Sequence, residues 1–154
     1  MKTSQQGIDL IKKWEGFRSA PYLDAAKVPT IGYGTTFYPN GKKVSMSDKP
    51  ITEQEAEAYL RAVIAQFEQV VNRLVSSKIN QNQFDALVSF VYNVGSGNFQ
   101  KSTLLKLINE NPNHPDIGNW FLKYNKASGR ELKGLTNRRN DEASLYGVKK
   151  KPLP

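Results

Sequence analysis

Apolar residues recur at steps of three and four along most of this chain, and the pattern breaks only between Tyr22 and Met46. Near the N-terminus, Ile8, Leu10, Ile11 and Trp14 make one apolar side of a short helix over residues 4–13, with Ser4 as its cap and Gly16 beyond its end. The run Thr30-Ile31-Gly32-Tyr33-Gly34-Thr35-Thr36-Phe37-Tyr38 is rich in β-branched and aromatic residues and reads as strand. Pro39-Asn40-Gly41 is a turn, and Lys42-Lys43-Val44-Ser45-Met46 returns as a second strand, giving a small antiparallel sheet of two or three strands. Gly32 and Gly34 weaken the strand and mark close approach of another backbone or a ligand.

Helical spacing then resumes. Thr52 and Glu55 form a capping box, with Ile51 placed to staple onto Ala56. Ala56, Tyr59, Leu60, Val63, Phe67, Val70, Val71 and Leu74 carry a long helix that ends near Ser76-Ser77. Glu53, Glu55 and Glu57 lie in its first turn, where the helix dipole favours negative charge, so they read as structural. Asn80 and Gln83 box a third helix bearing Phe84, Leu87, Val88, Val91 and Tyr92, stopped by Gly95. Ser102 or Thr103 opens a helix closed by Asn111-Pro112. Asp116 caps a further one, broken by Gly129, and Thr136 caps the last, which runs to Tyr146 with Gly147 behind it. The tail from Lys149 to Pro154 reads as frayed. The fold class is α+β with a helical majority, because residues after 50 all read as helical.

Composition narrows the chemistry. The chain of 154 residues is long enough to bury a core without metals or disulfides. With no cysteine, zinc-thiolate sites and thiol catalysis are excluded. The single histidine, His114, sits in Asn113-His114-Pro115 and reads as a loop residue. The net charge of +8 resides in the two ends: residues 1–50 carry 8 basic and 4 acidic side chains, 51–110 carry 5 and 6, and 111–154 carry 9 and 4. A basic surface suits an anionic polymer such as nucleic acid, an anionic membrane face or a bacterial wall. No basic run is interleaved with aromatics as in a nucleic-acid motif. Neither an apolar signal-peptide region nor a membrane span is visible, so the chain is expected to start in the cytosol.

One stretch carries candidate chemistry. Trp14-Glu15-Gly16 places a carboxyl at a helix C-terminus beside an indole, where dipole and desolvation both favour its protonated form. Asp24 follows nine positions later in a polar loop, and Thr30 six beyond it. Two carboxylates in unlike environments can divide acid and base roles at one pH.

Those residues also resemble a known family. Trp14-Glu15-Gly16, Tyr22-Leu23-Asp24 and Thr30-Ile31-Gly32-Tyr33-Gly34 look like the catalytic segment of phage-type lysozymes, glycoside hydrolase family 24. Ser89-Phe90-Val91-Tyr92-Asn93-Val94-Gly95 with Phe99 and Ser102-Thr103-Leu104-Leu105 resembles that family's central block. Gly134-Leu135-Thr136-Asn137-Arg138-Arg139 with Glu142, Leu145 and Tyr146 resembles its C-terminal block. One position departs: Lys27 stands where the family usually has a glycine, three residues after the aspartate. A glycine there signals positive φ.

The resemblance implies a single lysozyme-like domain over residues 1–154. It would have a small β lobe at about 14–50, a connecting helix at about 53–76, and a helical lobe at about 77–147 packed with helix 4–13. It implies a muramidase that hydrolyses the β-1,4 bond between N-acetylmuramic acid and N-acetylglucosamine, by an inverting route. Glu15 would be the general acid, and Asp24 and Thr30 would position the attacking water. Arg138 would lie near the catalytic glutamate and orient it. Tyr22, Tyr33, Asn93, Gly95 and Phe99 would line a substrate cleft between the lobes. No metal or cofactor is implied. The expected context is a phage or prophage endolysin, monomeric, released to the cell wall by a partner holin. The alternatives are a catalytically silent wall-binding module of the same fold and, on charge alone, a nucleic-acid-binding protein.

Overall fold

The computed structural model describes residues 1–127 and 129–147, so the basic tail lies outside the described residues. The chain forms two compact units. One is Ile11–Gln66; the other combines Met1–Leu10 with the chain from Phe67 onward. Helices α1 (Gln5–Glu15) and α2 (Glu53–Leu74) each contribute residues to both.

Within the Ile11–Gln66 unit, strands β1 (Arg18–Leu23) and β2 (Pro29–Gly32) pair antiparallel, with Tyr22 opposite Thr30 and Leu23 opposite Pro29. The strand expected over 30–38 is therefore shorter, and its partner precedes it rather than follows it. Gly32 and Gly34 both adopt positive φ and turn the chain, so Ile31 and Thr35 exchange backbone hydrogen bonds across them. A Cβ added at Gly32 would lie 3.0 Å from the Ala56 Cβ, so the glycine also admits α2 at close range. The Asn40-Gly41 turn does form, but its flanks meet only at an isolated bridge between Phe37 and Lys43. The capping box forms: the Glu55 N–H donates to Thr52 Oγ1 and the Thr52 N–H to Glu55 Oε1, both at 3.1 Å. Ile11, Ile31, Val44, Ala56, Leu60 and Ile64 are buried.

The other unit is built on α3 (Gln81–Val94), whose residues from Gln83 to Val91 are all buried. Helices α4 (Ser96–Gln100), α5 (Thr103–Glu110), α6 (Ile117–Leu122) and α7 (Lys133–Tyr146) follow, and α3 and α6 both pack on α7. The Phe90 ring meets Phe99, Phe121 and Tyr124 edge-on at 5.1–6.2 Å. The Asn80–Gln83 capping box is present, and Ser102 caps α5 by accepting from the Leu105 N–H.

Several expected details differ. Ser4 stands before α1, its carbonyl accepting from Ile8, yet its hydroxyl and N–H both donate to the Asp85 carboxylate. A charged acceptor outcompetes a capping bond to a helix N–H. Asp116 has helical dihedrals and makes no capping bond; its N–H donates instead to His114 Nδ1 at 3.0 Å. Thr136 lies inside the first turn of α7, which starts after Leu132, and its hydroxyl accepts from Asn125. The chain after residue 50 is not wholly helical. Strands β3 (Lys126–Ala127) and β4 (Arg130–Glu131) make a short hairpin at the break expected around Gly129.

Candidate active site

Glu15 is the last residue of α1 and is half-buried. The Gly16 N–H closes the helix on the Lys12 carbonyl at 2.9 Å. Gly16 then takes a φ of +71°, with open space where a Cβ would stand, so conformation alone selects glycine there. The chain enters β1 directly, which brings Tyr22 and Asp24 to the far end of the strand.

Asp24 opens the β1–β2 loop. Its carbonyl accepts from the Lys27 N–H at 2.9 Å, and its N–H donates to the Val28 carbonyl at 3.0 Å. This is a three-residue hairpin loop, a tight turn followed by one left-handed residue. Aspartate suits the first position because its side chain can bond the backbone of the turn it starts. Here Asp24 Oδ1 accepts from the Ala26 and Val28 N–H groups at 2.8 and 2.9 Å. Oδ2 accepts no hydrogen bond among the described residues. The carboxylate is thus fixed through one oxygen and offers the other.

The left-handed position falls on Lys27, with φ of +62°, the sole non-glycine residue at positive φ among the described residues. A turn altered by lysine is therefore not what forms: the lysine takes the glycine conformation, at a cost of roughly 1–2 kcal/mol. Lys27→Gly is expected to stabilise the protein by about 0.5–1 kcal/mol after the added freedom of the unfolded chain is subtracted. Denaturant titration measures this as a higher midpoint at unchanged slope.

Thr30 is buried, at 3% exposure, and its hydroxyl donates to the Val28 carbonyl at 2.8 Å. With the hydrogen committed, the oxygen is left as an acceptor. Across the ladder, Tyr22 carries the Arg18 guanidinium 4.3 Å from its ring centroid. Burial pushes the Tyr22 phenol up, Arg18 draws it down, and the charges of Glu15 and Asp24 raise it again. Tyr33 is placed differently. It is only 6% exposed, its hydroxyl donates to Glu53 at 2.8 Å, and Phe17 and Lys12 sit at its ring, each at 5.5 Å. Burial and the Glu53 bond push its phenol up to about 12. It is a buried strut.

The remaining expected residues belong to the helical unit. Asn93 is exposed near the end of α3, and Gly95 is half-buried with φ of +93°. Phe99 is fully buried against Phe90, so it serves the core rather than a sugar-facing wall. Arg138 is 4% exposed. Its guanidinium donates from Nε to Glu142 Oε2 and from Nη2 to the Ser89 carbonyl, both at 3.4 Å.

The cluster around Arg138 holds residues that sequence reasoning gave no role. Ser89 Oγ donates to Glu142 Oε2 at 2.6 Å. Arg139, fully buried, reaches Glu142 Oε2 from Nη2 at 3.2 Å. Its Nε lies 2.7 Å from Glu142 Oε1, a charge contact whose angle does not make a hydrogen bond. Burial pushes the Glu142 carboxyl up, while the two guanidiniums and the Ser89 hydroxyl hold it down. The spacing of Arg138 and Arg139 to Glu142, four and three residues on one helix, was the available signal.

Among the described residues no group of three or more His, Asp or Glu side chains could hold a metal ion, and no helix is long and apolar enough to cross a membrane.

A family model described as phage lysozyme matches residues 12–142. The endolysin of Bacillus phage B103 is 42% identical over 95% of this chain and 54% of its own length. That relative and the Bacillus phage PZA endolysin are thus spanned over only about half their length, 54% and 55%. The endolysin of Acyrthosiphon pisum secondary endosymbiont phage 1 is 38% identical, covering 95% of this chain and 98% of that one. Among solved structures, an endolysin from Escherichia coli O157:H7 phage FAHEc1 superposes with a TM-score of 0.87 at 38% identity, over 97% of this chain and 98% of that chain. With this mostly helical fold, its small antiparallel sheets and a family match running from α1 into α7, the chain belongs to the phage lysozyme family.

Proposed function

We propose that the protein is a muramidase of the endolysin kind, hydrolysing the β-1,4 bond between N-acetylmuramic acid and N-acetylglucosamine in peptidoglycan during host lysis. The observation that carries this reading is the Asp24 carboxylate, fixed through Oδ1 alone on the β1–β2 loop, with buried Thr30 on the strand that follows.

An alkoxide is a poor leaving group, so the glycosidic oxygen must be protonated as its bond breaks. Glu15 supplies that proton. Water must then reach an oxocarbenium-like carbon, and a carboxylate must take up its proton. Asp24 Oδ2 is the base. Thr30 Oγ1 accepts the water's second hydrogen and so aims its lone pair. On this reading the reaction inverts the anomeric carbon, which proton NMR of freshly released ends would detect as the α anomer. Tyr22 contacts sugar. Release to the wall by a partner holin belongs to the same reading.

Thr30→Val tests the water-positioning step. Removing one hydrogen bond made in the transition state is expected to lower kcat about tenfold. Thr30→Ser, which keeps the hydroxyl, is expected to retain most activity.

The whole reading is tested by turbidity clearance of purified walls with a parallel sedimentation assay. Wild type is expected to clear them. If it binds walls without clearing, and Glu15→Gln binds equally well, the silent wall-binding module is the better account.

A further inference from the structure

The lysine at the left-handed position of the Asp24 loop has no role in the chemistry above. Lys27 is exposed, and Ala25 and Ala26 are the other two residues of the loop tip. It is therefore the one long side chain there, on the loop whose opening residue is Asp24. Its ammonium makes no hydrogen bond or ion pair among the described residues. Arg18, the cation of β1, stacks on Tyr22. A non-glycine residue held at positive φ is strained, and glycine at this position would remove the strain. A strained residue with an exposed side chain and no polar partner is not accounted for by the fold.

The charge balance of the site supplies a use. Glu15 and Asp24 place two carboxyl groups where the polymer must bind. Peptidoglycan strands carry carboxylates on their muramic acid peptides, and these would be repelled. We propose that Lys27 is a specificity residue, whose ammonium binds a carboxylate on the wall polymer lying over the Asp24 loop. The proposal rests on the muramidase reading. An exposed ion pair of this kind adds a modest, salt-sensitive gain in affinity.

The test compares wild type, Lys27→Gly and Lys27→Arg on native walls and on walls whose carboxylates have been converted to neutral amides. Lys27→Gly is expected to raise KM about threefold on native walls with kcat unchanged, and to match wild type on amidated walls. Its thermal midpoint should meanwhile rise. Lys27→Arg should behave as wild type on both substrates. Sedimentation binding of the same three proteins gives a readout that does not depend on cleavage. If wild type cleaves neither wall, the muramidase reading fails, and a charge-selective loss of binding in Lys27→Gly would still stand. The inference is overturned if Lys27→Gly binds and cleaves native walls as well as wild type, or loses equally on both substrates.

Discussion

Glu15→Gln is expected to abolish wall clearance while leaving the protein folded. Glutamine keeps the shape and hydrogen-bonding reach of the side chain but has no proton to give the departing oxygen. General acid catalysis typically supplies a factor of about 10²–10⁴, so the residual rate should fall below about 1% of wild type. Stability should change little, within about 1 kcal/mol, because the half-buried Glu15 side chain sits at the end of α1 rather than in the core. The two measurements together decide its role. Lost clearance with an unchanged melting curve marks a catalytic carboxyl; a large drop in melting temperature would mark a structural one.

The second large effect concerns stability. Glu142→Gln is expected to destabilise the protein by about 3–5 kcal/mol, lowering the melting temperature by roughly 10 °C. Glu142 is fully buried and faces two guanidiniums that are 4% and 0% exposed. Removing its charge takes the counter-ion from fully buried Arg139 and an acceptor from Arg138, and the desolvation of Arg139 is then uncompensated. Ser89→Ala deletes one donor to the same carboxylate and should cost less, about 1.5–3 kcal/mol. A Glu142→Gln protein that melts like wild type would mean that this cluster contributes no net stability.

How much of this was legible in the sequence depended on the kind of signal. Capping chemistry was legible: Thr52–Glu55, Asn80–Gln83 and Ser102 all act through bonds between residues three apart. The caps assigned to Ser4 and Thr136 failed because each hydroxyl found a different partner, in Asp85 and Asn125, and the cap at Asp116 failed because its backbone is itself helical. For Ser4 and Thr136 that partner lies far along the chain, beyond the reach of local reading. The strand pattern over 30–38 was read correctly in composition but not in length, since two glycines at positive φ fold it back. Strand β1 was missed because its burial does not alternate. Spacing together with the family resemblance singled out Glu15, Asp24 and Thr30, and their catalytic roles stand as a proposal. Tyr33 and Phe99 illustrate the limit, because an aromatic residue reads the same whether it faces a ligand or the core. The buried charges of α7 were hardest to see, since hydropathy assigns arginine and glutamate to the surface.

Lys27 shows both levels together. Lysine in place of the family's glycine suggested a locally different turn, yet the backbone adopts the glycine conformation with lysine. Neither observation alone says why a strained residue would be kept.

The most direct test of the account is mass spectrometry of purified peptidoglycan digested by the wild-type protein. The account predicts soluble fragments ending in reducing N-acetylmuramic acid, with one water added per bond cut, and none from Glu15→Gln. Fragments ending in reducing N-acetylglucosamine, or in anhydromuramic acid, or no fragments at all, would contradict it.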